Sequence, residues 1–200
     1  MSPRNSVVEA QRTRQRIVEH SLSVASLNGL EGLTIGRIAT DLGLSKAGVL
    51  GHFGTKEGLQ LAVVDAASEL FAREVPQRVP ADAEPGLPRL RGYCEAWVSY
   101  VERDVLPGGC FFTAAASEFD GRGGPVRDAL AAKHALWQRA LAHDVRCAVA
   151  TGELPPDADA DQVAFELFGI IMAMNHYRQL THDPAASTRA RRALHRLLGP

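Results

Sequence analysis

Polar and small residues between Ser45 and Lys56 could bind the phosphates and base edges of a nucleic acid. Hydroxyl, amine and imidazole groups donate hydrogen bonds to phosphate oxygens, and small residues let a helix approach base edges closely. With a capping threonine upstream, this candidate DNA-binding set consists of Thr34, Ser45, Lys46, Ala47, Gly48, Gly51, His52, Thr55 and Lys56.

Two other residue pairs could do metal or acid–base chemistry. His143 and Cys147 are four residues apart on a predicted helix, and Glu118 lies near Asp120. Two ligands leave a zinc ion short, and the sequence has no Gly-x-Gly-x-x-Gly, P-loop, Gly-x-Ser-x-Gly or His-Glu-x-x-His motif. We therefore expect neither an enzyme nor a metal or cofactor site.

A helix-turn-helix is predicted to position the candidate DNA-binding residues. Thr34 can cap a short helix that ends at Gly43, where a left-handed residue suits a helix C-terminus. Ser45 then caps a second helix, which continues to about His52. Its outward residues are small or polar, which suits a helix that enters a major groove. The pattern alone is equally compatible with two short helices in an ordinary helical protein.

The same segment carries a set of short motifs: Thr34-Ile35, Ile38-Ala39, Gly43, Ser45-Lys46, His52-Phe53, Lys56-Glu57 and Leu59. Together they closely resemble the signature of the tetracycline-repressor (TetR) family of transcriptional regulators, over about residues 12–60. One residue departs from that signature, since Leu50 stands where most members carry an aromatic residue that touches a phosphate. We therefore do not include Leu50 in the DNA-binding set.

The resemblance implies an all-α protein with two domains. Residues 1–60 would form a three-helix DNA-binding domain, and residues 61–200 a helical domain that binds a small ligand and dimerises. Ligand binding there would loosen the grip on operator DNA, although an activator or a ligand-independent regulator is the alternative. Aromatic and apolar side chains of the second domain are candidate contacts for an apolar or aromatic effector: Tyr93, Trp97, Phe111, Phe112, Trp137, Phe168, Met172 and His176.

Charge and composition agree with a protein that touches DNA at one end. Residues 1–60 carry a net charge of +2 within a chain whose net charge is −1, which is too weak a basic balance for a DNA-packaging protein. The three cysteines, Cys94, Cys110 and Cys147, lack the spacing of a disulfide framework or zinc knuckle. No signal peptide or membrane span is predicted, so we expect a cytoplasmic protein.

The helical periodicity predicts how the rest of the chain is arranged. Residues 1–11 are expected to be disordered, and a first helix should begin near Arg12. A helix from Lys56 to Glu74 is expected to be the only connection between the two domains. A helix over about 161–182 is apolar on more than one side, and the last helix, about 187–198, has an apolar inner side and basic residues outward. These two helices should pair with their copies in a homodimer. Ile171 and Leu194 are the residues at which a charge should give monomers, or misfolded chains if that face is core.

Overall fold

The computed structural model describes the backbone of residues 3–199 and the side chains of residues 7–199. That range contains α-helices and no β-strand, so the predicted all-α fold is confirmed. A single turn of 3-10 helix, Pro76–Arg78, lies between the fourth and fifth helices. The helices are α1 (Pro3–Asn28), α2 (Ile35–Leu42), α3 (Lys46–Phe53), α4 (Lys56–Glu74), α5 (Leu87–Glu102), α6 (Phe111–Phe119), α7 (Pro125–Ala150), α8 (Ala160–Thr181) and α9 (Ala186–Leu198).

Helix α1 begins at Pro3 rather than near Arg12. Proline fits the first turn of a helix, where its missing N–H is not needed, and Glu9, Ala10 and Gln11 are strong helix formers. The predicted disorder of residues 1–11 is therefore wrong for residues 3–11. Residues 1 and 2 lie outside the described residues.

The buried apolar side chains form two clusters. The first, here called the head core, joins α1 to α4 through residues such as Ile17, Ile38, Val49 and Leu59, and it extends into α6 and the start of α7. The second, here called the body core, lies among α5, α7, α8 and α9. Because the head core includes residues of α6, it continues well past residue 60.

The side chains of Leu70 and Phe112 pack against both cores. Leu70 belongs to α4 and Phe112 to α6. These two helices therefore connect the head core to the body core, and α4 is not the only connection.

Helix α8 packs against α9, α7 and α5, and α9 also packs against α5. Ile171 and Leu194 are only 1% and 6% exposed and belong to the body core. The expectation that they form the dimer face is wrong, because the apolar side that carries them covers the core of their own chain. The outward apolar residues of α8 are instead Phe165, Tyr177 and Leu180.

Within the part of the chain that the structure describes, no helix is both long enough and apolar enough to cross a membrane.

Candidate DNA interface and ligand cavity

Side-chain caps define the start of both helices of the helix-turn-helix. The hydroxyl of Thr34 accepts a hydrogen bond of 3.2 Å from the backbone N–H of Arg37, and the hydroxyl of Ser45 accepts one of 3.0 Å from that of Gly48. Gly43 has a φ of 66°, the left-handed conformation that ends α2. Local sequence therefore determines the turn between α2 and α3.

The second helix of this motif, α3, presents a nearly continuous exposed face. Val49 is completely buried and anchors α3 on the head core. His52 is half-buried at the end of the helix, and its imidazole lies beside the ring of Phe53. The exposed residues of α3 are Lys46, Ala47, Gly48, Leu50 and Gly51.

Helix α4 starts directly beside α3, and its first residues are already engaged within the protein. The hydroxyl of Thr55 accepts a hydrogen bond of 2.9 Å from the N–H of Gly58. The Nζ atom of Lys56 lies 2.9 Å from Oε1 of Glu31. Thr55 is exposed, so it can still donate to a phosphate, whereas the charge of Lys56 is partly neutralised by Glu31.

Phe53 ends α3 and packs against the head core. The guanidinium of Arg14, on α1, lies 5.1 Å from the centre of its ring. Such a cation–π contact fixes the arginine near α3, which would be the recognition helix that enters the major groove. Arg14 is exposed, as are Arg12 and Arg16 on the same helix.

A cavity of about 260 Å³ lies between α4, α5, α6, α7 and α8. Five of the eight predicted effector contacts line it: Tyr93, Trp97, Phe112, Trp137 and Phe168. Their rings stack edge to face or tilted, with Trp97 and Trp137 centred 5.6 Å apart. The structure thus brings together aromatic residues from four helices around one space.

The other three predicted effector contacts lie elsewhere. Phe111 is 2% exposed in the head core and does not line the cavity. Met172 lines a neighbouring groove between α6, α7 and α8. His176 is exposed on α8, with its ring 6.2 Å from that of Tyr177.

Sequence reasoning missed Phe71, which lies at the centre of the aromatic cluster. Its ring packs edge to face against those of Trp97, Tyr100, Phe112 and Trp137, at 5.1 to 6.1 Å between centres. The signal that could have found it is the spacing of Ser68, Phe71 and Ala72, which form a second face of α4 and also line the cavity.

His134 was missed as well, although it precedes Trp137 by one helical turn. Its ring lies 4.7 Å from that of Phe168, and burial lowers the pKa of the imidazole. Burial also raises the pKa of the Tyr93 hydroxyl. Both groups are therefore neutral near pH 7. The charged side chain of Lys133 also lines the cavity, and its Nζ atom lies 3.1 Å from Oδ1 of Asp65.

The structure adds a third candidate ligand to the His143 and Cys147 pair. Asp144 brings a carboxylate oxygen within 4.8 Å of the ligand atoms of the other two. That carboxylate is buried and accepts a 2.9 Å hydrogen bond from Nε of Arg89. The carboxylate of Asp144 is therefore already paired with Arg89. His143 and Cys147 alone are too few ligands for a zinc site.

Comparison with known proteins agrees with this geometry. Residues 17–63 match the model of bacterial regulatory proteins of the tetR family, and residues 86–194 match that of the tetracyclin repressor-like C-terminal domain. The HTH-type transcriptional repressor ComR of Escherichia coli (strain K12) is 24% identical over 162 residues, which cover 81% of this chain and 77% of ComR.

Solved structures are similar over nearly the whole chain. A TetR transcriptional regulator from Chloroflexus aurantiacus has a TM-score of 0.83 and 27% identity, covering 95% of this chain and 94% of its own. AibR, in complex with isovaleryl coenzyme A and operator DNA, has a TM-score of 0.76 and 22% identity, covering 94% and 98%. The family models together cover well over half of the chain, and the chain belongs to the TetR family of DNA-binding transcriptional regulators.

Proposed function

We propose that this regulator is a cytoplasmic repressor that leaves its operator when a small apolar ligand enters the aromatic cavity. The observation that carries the proposal is the course of α4. Its first residue, Lys56, lies beside the recognition helix, and Phe71, near its other end, stands at the centre of the cavity wall. A ligand that displaces Phe71 therefore acts on the helix that supports α3.

The chemistry of the cavity supports an apolar or aromatic ligand of modest size. Aromatic rings and alanines dominate its walls, and its histidine and tyrosine are neutral near pH 7. The indole N–H of Trp137 is buried and has no acceptor among the described residues. Since an unsatisfied buried donor is costly, a carbonyl or ether oxygen on the ligand would gain affinity by reaching it.

We propose that the protein works as a homodimer paired through α8 and α9. Phe165, Tyr177 and Leu180 are more than half exposed on the outer side of α8, and large exposed apolar side chains on one helix can mark an interaction surface. Pairing of this outer side of α8 with its copy would place two recognition helices on one duplex, as a two-fold operator requires.

A solved structure of similar fold supports the hypothesis that one chain binds both a small ligand and operator DNA. The AibR structure contains both isovaleryl coenzyme A and operator DNA in a chain of the same fold. The ComR relative is described as a repressor. Both statements concern those proteins, and they make ligand-controlled repression the first hypothesis to test for this chain.

The test needs the operator first, which selection of bound duplexes from a random pool would return. Apolar aromatic compounds are then screened by the fluorescence of Trp97 and Trp137, and each saturable binder is titrated against the protein–operator complex. We expect a binder to lower operator affinity and the operator to lower its affinity by the same factor. If every tight binder leaves operator affinity unchanged, the protein is a regulator controlled by its own abundance.

A further inference from the structure

Glu118, near the end of α6, holds the loop that leads into the helix-turn-helix. Its carboxylate accepts hydrogen bonds from the backbone N–H groups of Leu30, at 2.7 Å, and Glu31, at 2.9 Å. Gly29 permits this approach, since it has a φ of 81° and a side chain there would lie 2.7 Å from Oε1 of Glu118. Glu118 of α6 thus binds two consecutive backbone amides of the loop between α1 and α2.

The same loop is fixed from the start of α4. Lys56 donates to the carboxylate of Glu31, and Gln60 donates to the backbone oxygen of Leu30 at 3.0 Å. Thr34, which caps α2, follows directly after this loop. The orientation of the helix-turn-helix relative to α4 therefore depends on the position of residues 29–31.

Helix α6 touches both the cavity and the head. Phe112 and Ala116 line the cavity, while Phe111, Ala115 and Phe119, on an adjacent face of the helix, lie in the head core. Phe112, Ala116 and Glu118 belong to one helix of nine residues. A ligand that displaces Phe112 or Ala116 would therefore also displace the carboxylate of Glu118. The prediction that α4 alone joins the two ends of the molecule is wrong for this reason.

We propose that Glu118 is a positioning residue that transmits occupancy of the cavity to the DNA-binding head, an inference that rests on the proposed function. With the cavity empty, its carboxylate holds residues 30 and 31 in the arrangement that fits the operator. A ligand that presses on α6 withdraws the carboxylate and releases the loop. Operator binding, which needs the loop held, in turn favours the empty cavity.

The experiment fills the cavity with a larger side chain in place of a ligand, so the effector does not have to be known. Ala140 of α7 lines the cavity on a different helix from Glu118, and Ala140→Phe would fill part of the space. Ala132→Phe, at an exposed position of the same helix, is the control for the added ring. Each is combined with Glu118→Gln, which keeps the size of the side chain, and with Asp120→Asn, an exposed neighbour that controls for lost charge.

Affinity for the selected operator is measured for the four single variants and for the combinations. We expect Ala140→Phe to weaken operator binding about 10-fold, within the usual range of allosteric coupling, and Ala132→Phe to have little effect. In the Glu118→Gln background, the effect of Ala140→Phe should fall below about twofold, since residues in one coupled network are not additive. With Asp120→Asn the 10-fold effect should remain.

A second readout needs no change at Glu118, in case Glu118→Gln fails to fold. Amide hydrogen exchange at Leu30 and Glu31 should be faster in Ala140→Phe than in Ala132→Phe. Unchanged exchange, or an equal loss of operator affinity with and without Glu118→Gln, would overturn the role of Glu118 and leave ligand release intact. A folded Ala140→Phe variant with full operator affinity would overturn both proposals.

Discussion

The Nζ atom of Lys56 donates hydrogen bonds to both the carboxylate and the backbone oxygen of Glu31, at 2.9 and 2.6 Å. The lysine was predicted from sequence to bind phosphate, yet in the absence of DNA it joins the start of α4 to the loop before α2. Lys56 therefore contributes to the structure of the head as well as to its charge.

The first prediction concerns acid stability. Hydrogen bonds from Lys56 and then Gln60 hold the pKa of the Glu31 carboxyl below its ordinary value of 4.5. The ionised carboxylate therefore stabilises the folded state fully above that value, and the contribution is lost as the pH falls through the lowered pKa. Between pH 6 and pH 3, the melting temperature of the wild type should fall more than that of Glu31→Gln.

The control for this measurement is Glu57→Gln, an exposed glutamate in the first turn of the same helix. Its melting temperature should follow that of the wild type over the same range. Equal pH profiles for wild type and Glu31→Gln would mean that the Lys56–Glu31 pair contributes nothing to the head.

The second prediction separates phosphate binding from internal pairing. Lys46 is exposed at the start of α3, and if it contacts a phosphate, Lys46→Gln should reduce the slope of log affinity against log salt by about 0.9. Lys133→Gln, at the cavity, should leave the slope unchanged. Fluorescence anisotropy with operator at several salt concentrations gives both slopes, and an unchanged slope for Lys46→Gln would place that lysine away from the duplex.

The third prediction tests how closely α3 approaches DNA. Apart from the neighbouring backbone of α3, no described atom lies within 4 Å of the place where a side chain at Gly51 would begin, so the fold leaves room for a larger residue there. Gly51→Ala should stabilise the protein by up to about 1 kcal/mol, because glycine is a poor helix former. Gly51→Leu should fold but lose operator affinity if the backbone of α3 must approach base edges.

Gly121, between α6 and α7, also has open space around it and provides the control. Gly121→Leu should retain operator affinity. A folded Gly51→Leu variant that binds as tightly as Gly121→Leu would show that the outer face of α3 does not lie in a groove.

The features that sequence could predict are those determined by neighbours along the chain. Thr34 and Ser45 cap their helices by accepting hydrogen bonds from N–H groups three residues later. Gly43 adopts the left-handed conformation that ends α2, which glycine takes without a steric penalty. These interactions are local, so residue type and spacing are enough to identify them.

The features that sequence could not predict depend on how helices are rotated against each other. Phe111 and Phe112 are adjacent and chemically identical, yet one lies in the head core and the other faces the cavity. Nothing in the local pattern distinguishes them, because the tertiary packing of α6 sets which side faces which core. The pairing of Lys56 with a residue 25 positions earlier was hidden for the same reason.

The fourth prediction concerns assembly. Phe165 is 65% exposed on α8, whereas Ile171 on the same helix is 1% exposed in the body core. If the outer side of α8 pairs with its copy, Phe165→Lys should give folded monomers, because the lysine would be desolvated in an apolar interface that offers its charge no partner. Ile171→Lys should instead fail to fold, since an unpaired charge would be buried within the chain. Sedimentation velocity and circular dichroism distinguish these results.

Phe165→Leu is the matched control and should remain dimeric. Since one recognition helix offers few contacts, the Phe165→Lys monomer should bind the two-fold operator far more weakly than the dimer and with no preference for its symmetric spacing. A Phe165→Lys variant that stays dimeric would place the interface elsewhere. A wild-type protein that is monomeric at micromolar concentration would remove the argument for a two-fold operator.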